Sequence, residues 1–129
     1  MITKLTNITL FVNNQDEALK FYTTILGFIV HTDAIYGDFR WLTICLKNQP
    51  DLEIALMPAT TPEEKALIGK QAGKIPFLAL QSDDCLKDYE SLKAKGVTFI
   101  EEPKKESWGI AVACKDLYGN LLYIVQPIS

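Results

Sequence analysis

The chain repeats itself, and this constrains its fold more than any other feature. Asp16-Glu17-Ala18-Leu19-Lys20-Phe21-Tyr22 aligns with Asp83-Asp84-Cys85-Leu86-Lys87-Asp88-Tyr89 at an offset of 67 (83 − 16). From Gly27 and Gly96 onward the offset becomes 69 (96 − 27), which pairs Cys45 with Cys114, Asp51-Leu52 with Asn120-Leu121, and Pro58 with Pro127. Each identity is weak alone, but their shared order implies a duplicated unit of about 60 residues. The whole chain, 129 residues, is one domain's worth of protein.

Both units follow one grammar. Asn7–Val12 alternates in a β-rich composition and predicts a strand. Asn14 is a candidate helix cap with Glu17 in capping-box spacing, and Gly27 ends the helix. Strands are expected over 28–35, 39–46 and 51–57, with Lys47-Asn48-Gln49-Pro50 as a turn. Thr61-Pro62-Glu63-Glu64 opens a short linker helix that Gly69 closes. The second unit predicts a strand over 74–81 and a helix over 83–95 capped by Ser82 or Asp83. Strands follow over 97–101, 108–114 and 120–126, the last two joined by Asp116-Leu117-Tyr118-Gly119. The class is therefore α+β: tandem βαβββ modules, one over about 5–58 and one over about 73–127, with a linker helix at about 61–70. Two such modules are expected to form a curved mixed sheet around a trough, a natural small-molecule site.

Composition removes several classes of function. With 13 Lys+Arg against 16 Asp+Glu, the net charge of −3 disfavours nucleic acid as a partner. Apolar runs such as Leu121–Val125 are too short to span a membrane, and Met1-Ile2-Thr3-Lys4-Leu5 does not read as a signal peptide. Three cysteines, Cys45, Cys85 and Cys114, read as reduced core thiols of a cytoplasmic protein. The single histidine, His31, means that one chain cannot supply the two imidazoles that catalytic zinc and iron sites commonly use.

Phe21-Tyr22 with Leu26-Gly27-Phe28, after an Asn-Ile-Thr-Leu-Phe-Val strand, resembles the opening of a vicinal oxygen chelate domain. Asp116-Leu117-Tyr118-Gly119-Asn120 resembles that superfamily's closing Asp-Pro-x-Gly-Asn turn, with Leu117 in place of proline. Asp83-Asp84, Gly96-Val97 and Glu102-Pro103 also sit where such domains carry similar residues. The superfamily includes glyoxalase I, extradiol dioxygenases, fosfomycin-modifying enzymes and bleomycin-binding resistance proteins. The resemblance implies a homodimer. It also implies four metal-ligand positions, which here fall on Asn7, Ile54 or Glu53, Lys74 and Tyr123. None is an imidazole, at most one is a carboxylate, and an ammonium at Lys74 repels a cation. No cofactor is therefore expected.

The expected binding residues are Asn7, Thr9 and Phe11 from the first strand, and Ile54 from the last strand of the first module. The second module adds Lys74 and Pro76 (with Leu78), Trp108 and Tyr123. This lining suits a planar or hydrophobic organic ligand with one anionic or carbonyl group. Lys74 and Glu53 are candidate bases for a metal-free isomerase or lyase, most simply as an ion pair. Trp41 and Trp108 are ordinarily core or interface residues, Arg40 ordinarily a salt-bridge partner of Asp38 or Asp51, and His31 ordinarily a hydrogen-bonded strand residue. The charged run Glu101–Glu106 reads as a solvated hairpin. The leading expectation is metal-free binding of a small organic molecule. A metal-dependent glyoxalase- or dioxygenase-like enzyme with unusual ligands and a domain with a filled trough are the alternatives.

Overall fold

The computed structural model describes Met1–Ile128 and divides into two compact units, Met1–Leu67 and the described residues from Ile68 onward. In the first, β1 (Asn7–Val12) leads into α1 (Gln15–Lys20), which continues as a π turn at Phe21–Ile25. Then come β2 (Ile29–Tyr36), β3 (Phe39–Leu46), β4 (Gln49–Pro58) and α2 (Pro62–Lys65). In the second, β5 (Leu78–Gln81) and α3 (Cys85–Ala94) precede β6 (Lys104–Glu106), β7 (Gly109–Lys115) and β8 (Leu121–Pro127). The sheet orders are β1-β4-β3-β2 and β5-β8-β7-β6, so the first strand of each module lies beside the last. Those first–last pairs are parallel and the remaining pairs antiparallel, giving two four-stranded mixed sheets with one helix crossover each.

Local chemistry explains the elements. Asn14 accepts the Glu17 amide at 2.9 Å, and Thr61 with Glu64 completes a reciprocal capping box. Asp116 holds the turn before β8: its Oδ1 accepts the amides of Tyr118 and Asn120, and its Oδ2 accepts the Asn120 side-chain amide, each at 2.9 Å. Leu117 therefore costs the turn nothing essential.

In the first unit Leu10, Val12, Leu42, Ile44 and Leu56 are fully buried with Ala18 and Tyr22 of the helical segment. In the second, Val112, Leu122 and Ile124 are buried with Cys85, Tyr89 and Leu92 of α3. Each such aliphatic side chain contributes about 1.5–3 kcal/mol by leaving water. All three cysteines are free and buried, as core thiols should be.

The sequence expectations need correction in several places. The β3–β4 turn is only Lys47-Asn48, because Leu46 already pairs with Gln49. The α3 cap is Asp84, whose side chain accepts the Lys87 amide; Ser82 instead accepts the Asp84 amide and donates to Asp88. Strand 74–81 shrinks to Leu78–Gln81, since Pro76 has no N–H for a ladder. Strand 97–101 is a single bridge between Phe99 and Cys114, and the second strand of that module is Lys104–Glu106, inside the charged run. Within β2 the register shifts between Val30 and Thr32, leaving His31 as a bulge against β3.

Candidate functional site

Strand alternation gives the first sheet a face packed with the helix and a face without it. Cross-strand partners share a face, so the helix-free face follows from the register. Asn7 pairs with Glu53, Thr9 with Ala55, and Phe11 with Met57. Ala55 continues to Thr43, and Thr43 to Thr32. Trp41 and Phe39 lie two and four residues before Thr43 on the same face, opposite Ala34 and Tyr36, with their rings 6.4 Å apart. The face is thus polar at the Asn7–Glu53 end and rich in aromatic side chains at the Phe11–Trp41–Phe39 end.

At the polar end one carboxylate oxygen gathers two partners. Glu53 Oε1 accepts the fully buried Thr43 hydroxyl at 2.7 Å and lies 3.1 Å from His31 Nδ1. The same His31 nitrogen is 2.8 Å from Thr32 Oγ1. Burial first, and then the Glu53 charge, push the neighbouring Cys45 thiol above its usual range. Within the first unit Glu53 therefore has His31 as its ion-pair partner.

The remaining predicted residues separate. Ile54 is buried on the other face, in register with Ile8 and Ile44, so of the two register choices Glu53 stands beside Asn7. Lys74 and Pro76 lie exposed ahead of β5. The 67-residue offset taken from the helices does not extend to the strands: the caps Asn14 and Asp84 are 70 apart (84 − 14). Leu78 pairs with Leu122 on the helix side, whereas Tyr123 pairs with Ala79 and Ala113 on the helix-free side. Trp108 sits in the β6–β7 turn, 46% exposed, its carbonyl accepting the Ile128 amide. Beside it is a groove of about 270 Å³ lined by Lys105, Glu106, Ile110 and Gln126 among others.

Arg40 is likewise spoken for. Its Nε and Nη2 bind both Asp33 carboxylate oxygens at 2.9 Å, and Nη1 binds Asp16 Oδ1 at 2.8 Å. These partners replace the expected Asp38 or Asp51 and tie β2 and β3 to the first turn of α1. The guanidinium in turn holds the Asp33 carboxyl below the usual carboxylate range.

The metal expected of metal-dependent relatives does not fit this donor set. Asn7 offers a weak amide oxygen, Glu53 is committed to Thr43 and His31, and Tyr123 offers a phenol. Among the described residues, no group of three or more His, Cys, Asp or Glu side chains is arranged to hold an ion. Sequence reasoning reads His31 as a hydrogen-bonded strand residue, which it is, but does not find its pairing with Glu53. The available signal was three consecutive polar residues, His31-Thr32-Asp33, interrupting a strand where strict alternation expects one.

Comparison with known proteins agrees with this architecture. The family model described as Glyoxalase/Bleomycin resistance protein/Dioxygenase superfamily matches residues 4–124. The uncharacterized protein YurT of Bacillus subtilis (strain 168) is 38% identical over 125 residues, 95% of this chain and 98% of YurT. The crystal structure of UcmS2 superposes with a TM-score of 0.84 at 34% identity, covering 97% of this chain and 98% of that one. TnmS3, an antibiotic binding protein from Streptomyces sp. CB03234, has a TM-score of 0.79 at 27% identity over 98% of each chain.

Proposed function

The chain belongs to the Glyoxalase/Bleomycin resistance protein/Dioxygenase superfamily, and we propose that it binds a small planar organic molecule without using a catalytic metal. The observation that carries this reading is the helix-free face of the first module. There Phe11, Met57, Trp41 and Phe39 form an apolar stacking surface that ends in the polar group Asn7, Glu53 and His31. The likeness to TnmS3, itself an antibiotic binding protein, supports the same assignment. The ligand-position residues support it further, because their chemistry suits hydrogen bonding better than holding a cation. Among the described residues no helix is long and apolar enough to cross a membrane. The proposal includes a homodimer, carried over from the family, and a cytoplasmic location, inferred from free thiols.

Two measurements test it. The chain has two tryptophans, so Trp108→Phe leaves Trp41 as sole reporter. Quenching of Trp41 by the neutral aromatic 4-nitroanisole, weakened by Phe11→Ala, is the expected result. Titration calorimetry of chelator-stripped protein with nickel, zinc, manganese and ferrous iron should show no tight site. Stoichiometric tight binding of one ion would overturn the reading in favour of glyoxalase- or dioxygenase-like chemistry. Light scattering reads the dimer directly.

A further inference from the structure

We infer that the ligand carries an aromatic hydroxyl, recognised through Nε2 of His31. This deepens the binding reading above and rests on it. The carboxylate of Glu53 can only accept hydrogen bonds. Thr43 already donates to its Oε1, and His31 Nδ1 lies 3.1 Å from the same oxygen. Nδ1 must therefore carry a hydrogen, which Thr32 Oγ1 at 2.8 Å also accepts. In the neutral imidazole this leaves Nε2 bare, as a lone-pair acceptor.

No protein group among the described residues occupies Nε2, and the His31 side chain is 35% exposed against 19% for Glu53. The pair thus has a shielded anionic end and an accessible accepting end. Such an acceptor, with negative charge behind it, disfavours carboxylates and phosphates and favours a hydrogen-bond donor. The rows next to it on the same sheet face run to Trp41, Met57 and Phe11, which favour a planar ring. A donor on an aromatic ring satisfies both ends. This replaces the anionic or carbonyl group expected from Lys74, because Lys74 lies ahead of β5 and the Glu53–His31 pair lies on the sheet face of the aromatic row.

The single histidine makes the test clean. Long-range proton–nitrogen spectra of the wild-type chain should show the neutral imidazole protonated at Nδ1, with Nε2 as acceptor. Adding 4-nitrophenol should move the Nε2 resonance, whereas its ether 4-nitroanisole should not. The phenol should also bind about tenfold more tightly than the ether, the worth of one well-made hydrogen bond. His31→Phe, at an exposed edge-strand position, should bind both probes equally. A wild-type imidazole protonated at Nε2, or equal affinity for the two probes, overturns the inference while leaving aromatic binding intact. If neither probe binds, the binding reading falls and this inference falls with it.

Discussion

Nδ1 of His31 stands 3.1 Å from Oε1 of Glu53, reaching across β3 from edge strand β2 to β4. The contact joins a bulged residue to one whose in-register neighbour, Asn7, opens the first strand. A lone carboxylate facing a sheet is an electrostatic liability; here it has an imidazole and a hydroxyl as partners.

Removing that carboxylate should be felt mainly through Thr43. Glu53→Ala leaves the fully buried Thr43 hydroxyl without its acceptor, at a cost of about 1–3 kcal/mol. Urea unfolding measures the loss. The double variant Glu53→Ala/Thr43→Val should be no less stable than Glu53→Ala alone, because the unsatisfied group is then gone. A further large loss would show that Thr43 acts through something other than Glu53.

Acid should weaken the Arg40 clamp in a defined direction. The Asp33 carboxyl is held below the usual carboxylate range, chiefly by its hydrogen bonds to Arg40. A depressed folded-state pKa contributes stability above the unfolded value, and that contribution disappears as pH falls through the folded one. The stability gap between wild type and Asp33→Asn should therefore be constant near neutrality and shrink below about pH 4. A gap that widens on acidification would show that the Arg40 pairing does not govern Asp33.

The thiols should be silent in the folded chain. Burial, with a smaller push from Asp116, raises the Cys114 pKa to about 11, and burial also raises Cys45 and Cys85. Fewer thiolates exist at neutral pH and none of the three side chains is accessible. Ellman's reagent should react negligibly with native protein and then with three thiols after denaturation. A rapidly reacting native thiol would contradict this packing.

Two glycines with left-handed backbones should differ sharply. Gly37 has φ +64 and open space where a Cβ would sit, so Gly37→Ala should cost only the backbone term of about 1–2 kcal/mol. At Gly69, φ is +80 and the same Cβ would lie 2.0 Å from the Tyr118 carbonyl oxygen. Gly69→Ala should therefore lower the melting temperature well beyond Gly37→Ala. Equal effects would mean that the Tyr118 turn yields freely.

The duplication, β1 and β3 were legible in the sequence because alternation over several residues is a strong signal. The start of β5 was not, since Lys74 and Ile75 look strand-like and only Pro76 argues otherwise. The lining of the first-module face was partly legible: Asn7, Thr9 and Phe11 follow from counting by two. The choice between Ile54 and Glu53 turned on one residue of register, which an internal alignment of weak identities cannot resolve. The pairing of His31 with Glu53 was hidden for a different reason. The two residues are distant in sequence, and a single imidazole carries no spacing to read.

The bulge at His31 acts as a change of phase within one strand. Before it, alternation sends Val30 to the helix side and His31 to the other; after it, Thr32 again faces the helix-free side and Asp33 faces the helix. Without the surplus residue, β2 could present His31 to Glu53 or Asp33 to Arg40, but not both. One strand thereby serves a binding surface at one end and a structural clamp at the other. Inserting or deleting a single residue between them would exchange one role for the loss of the other, with no side chain chemically altered.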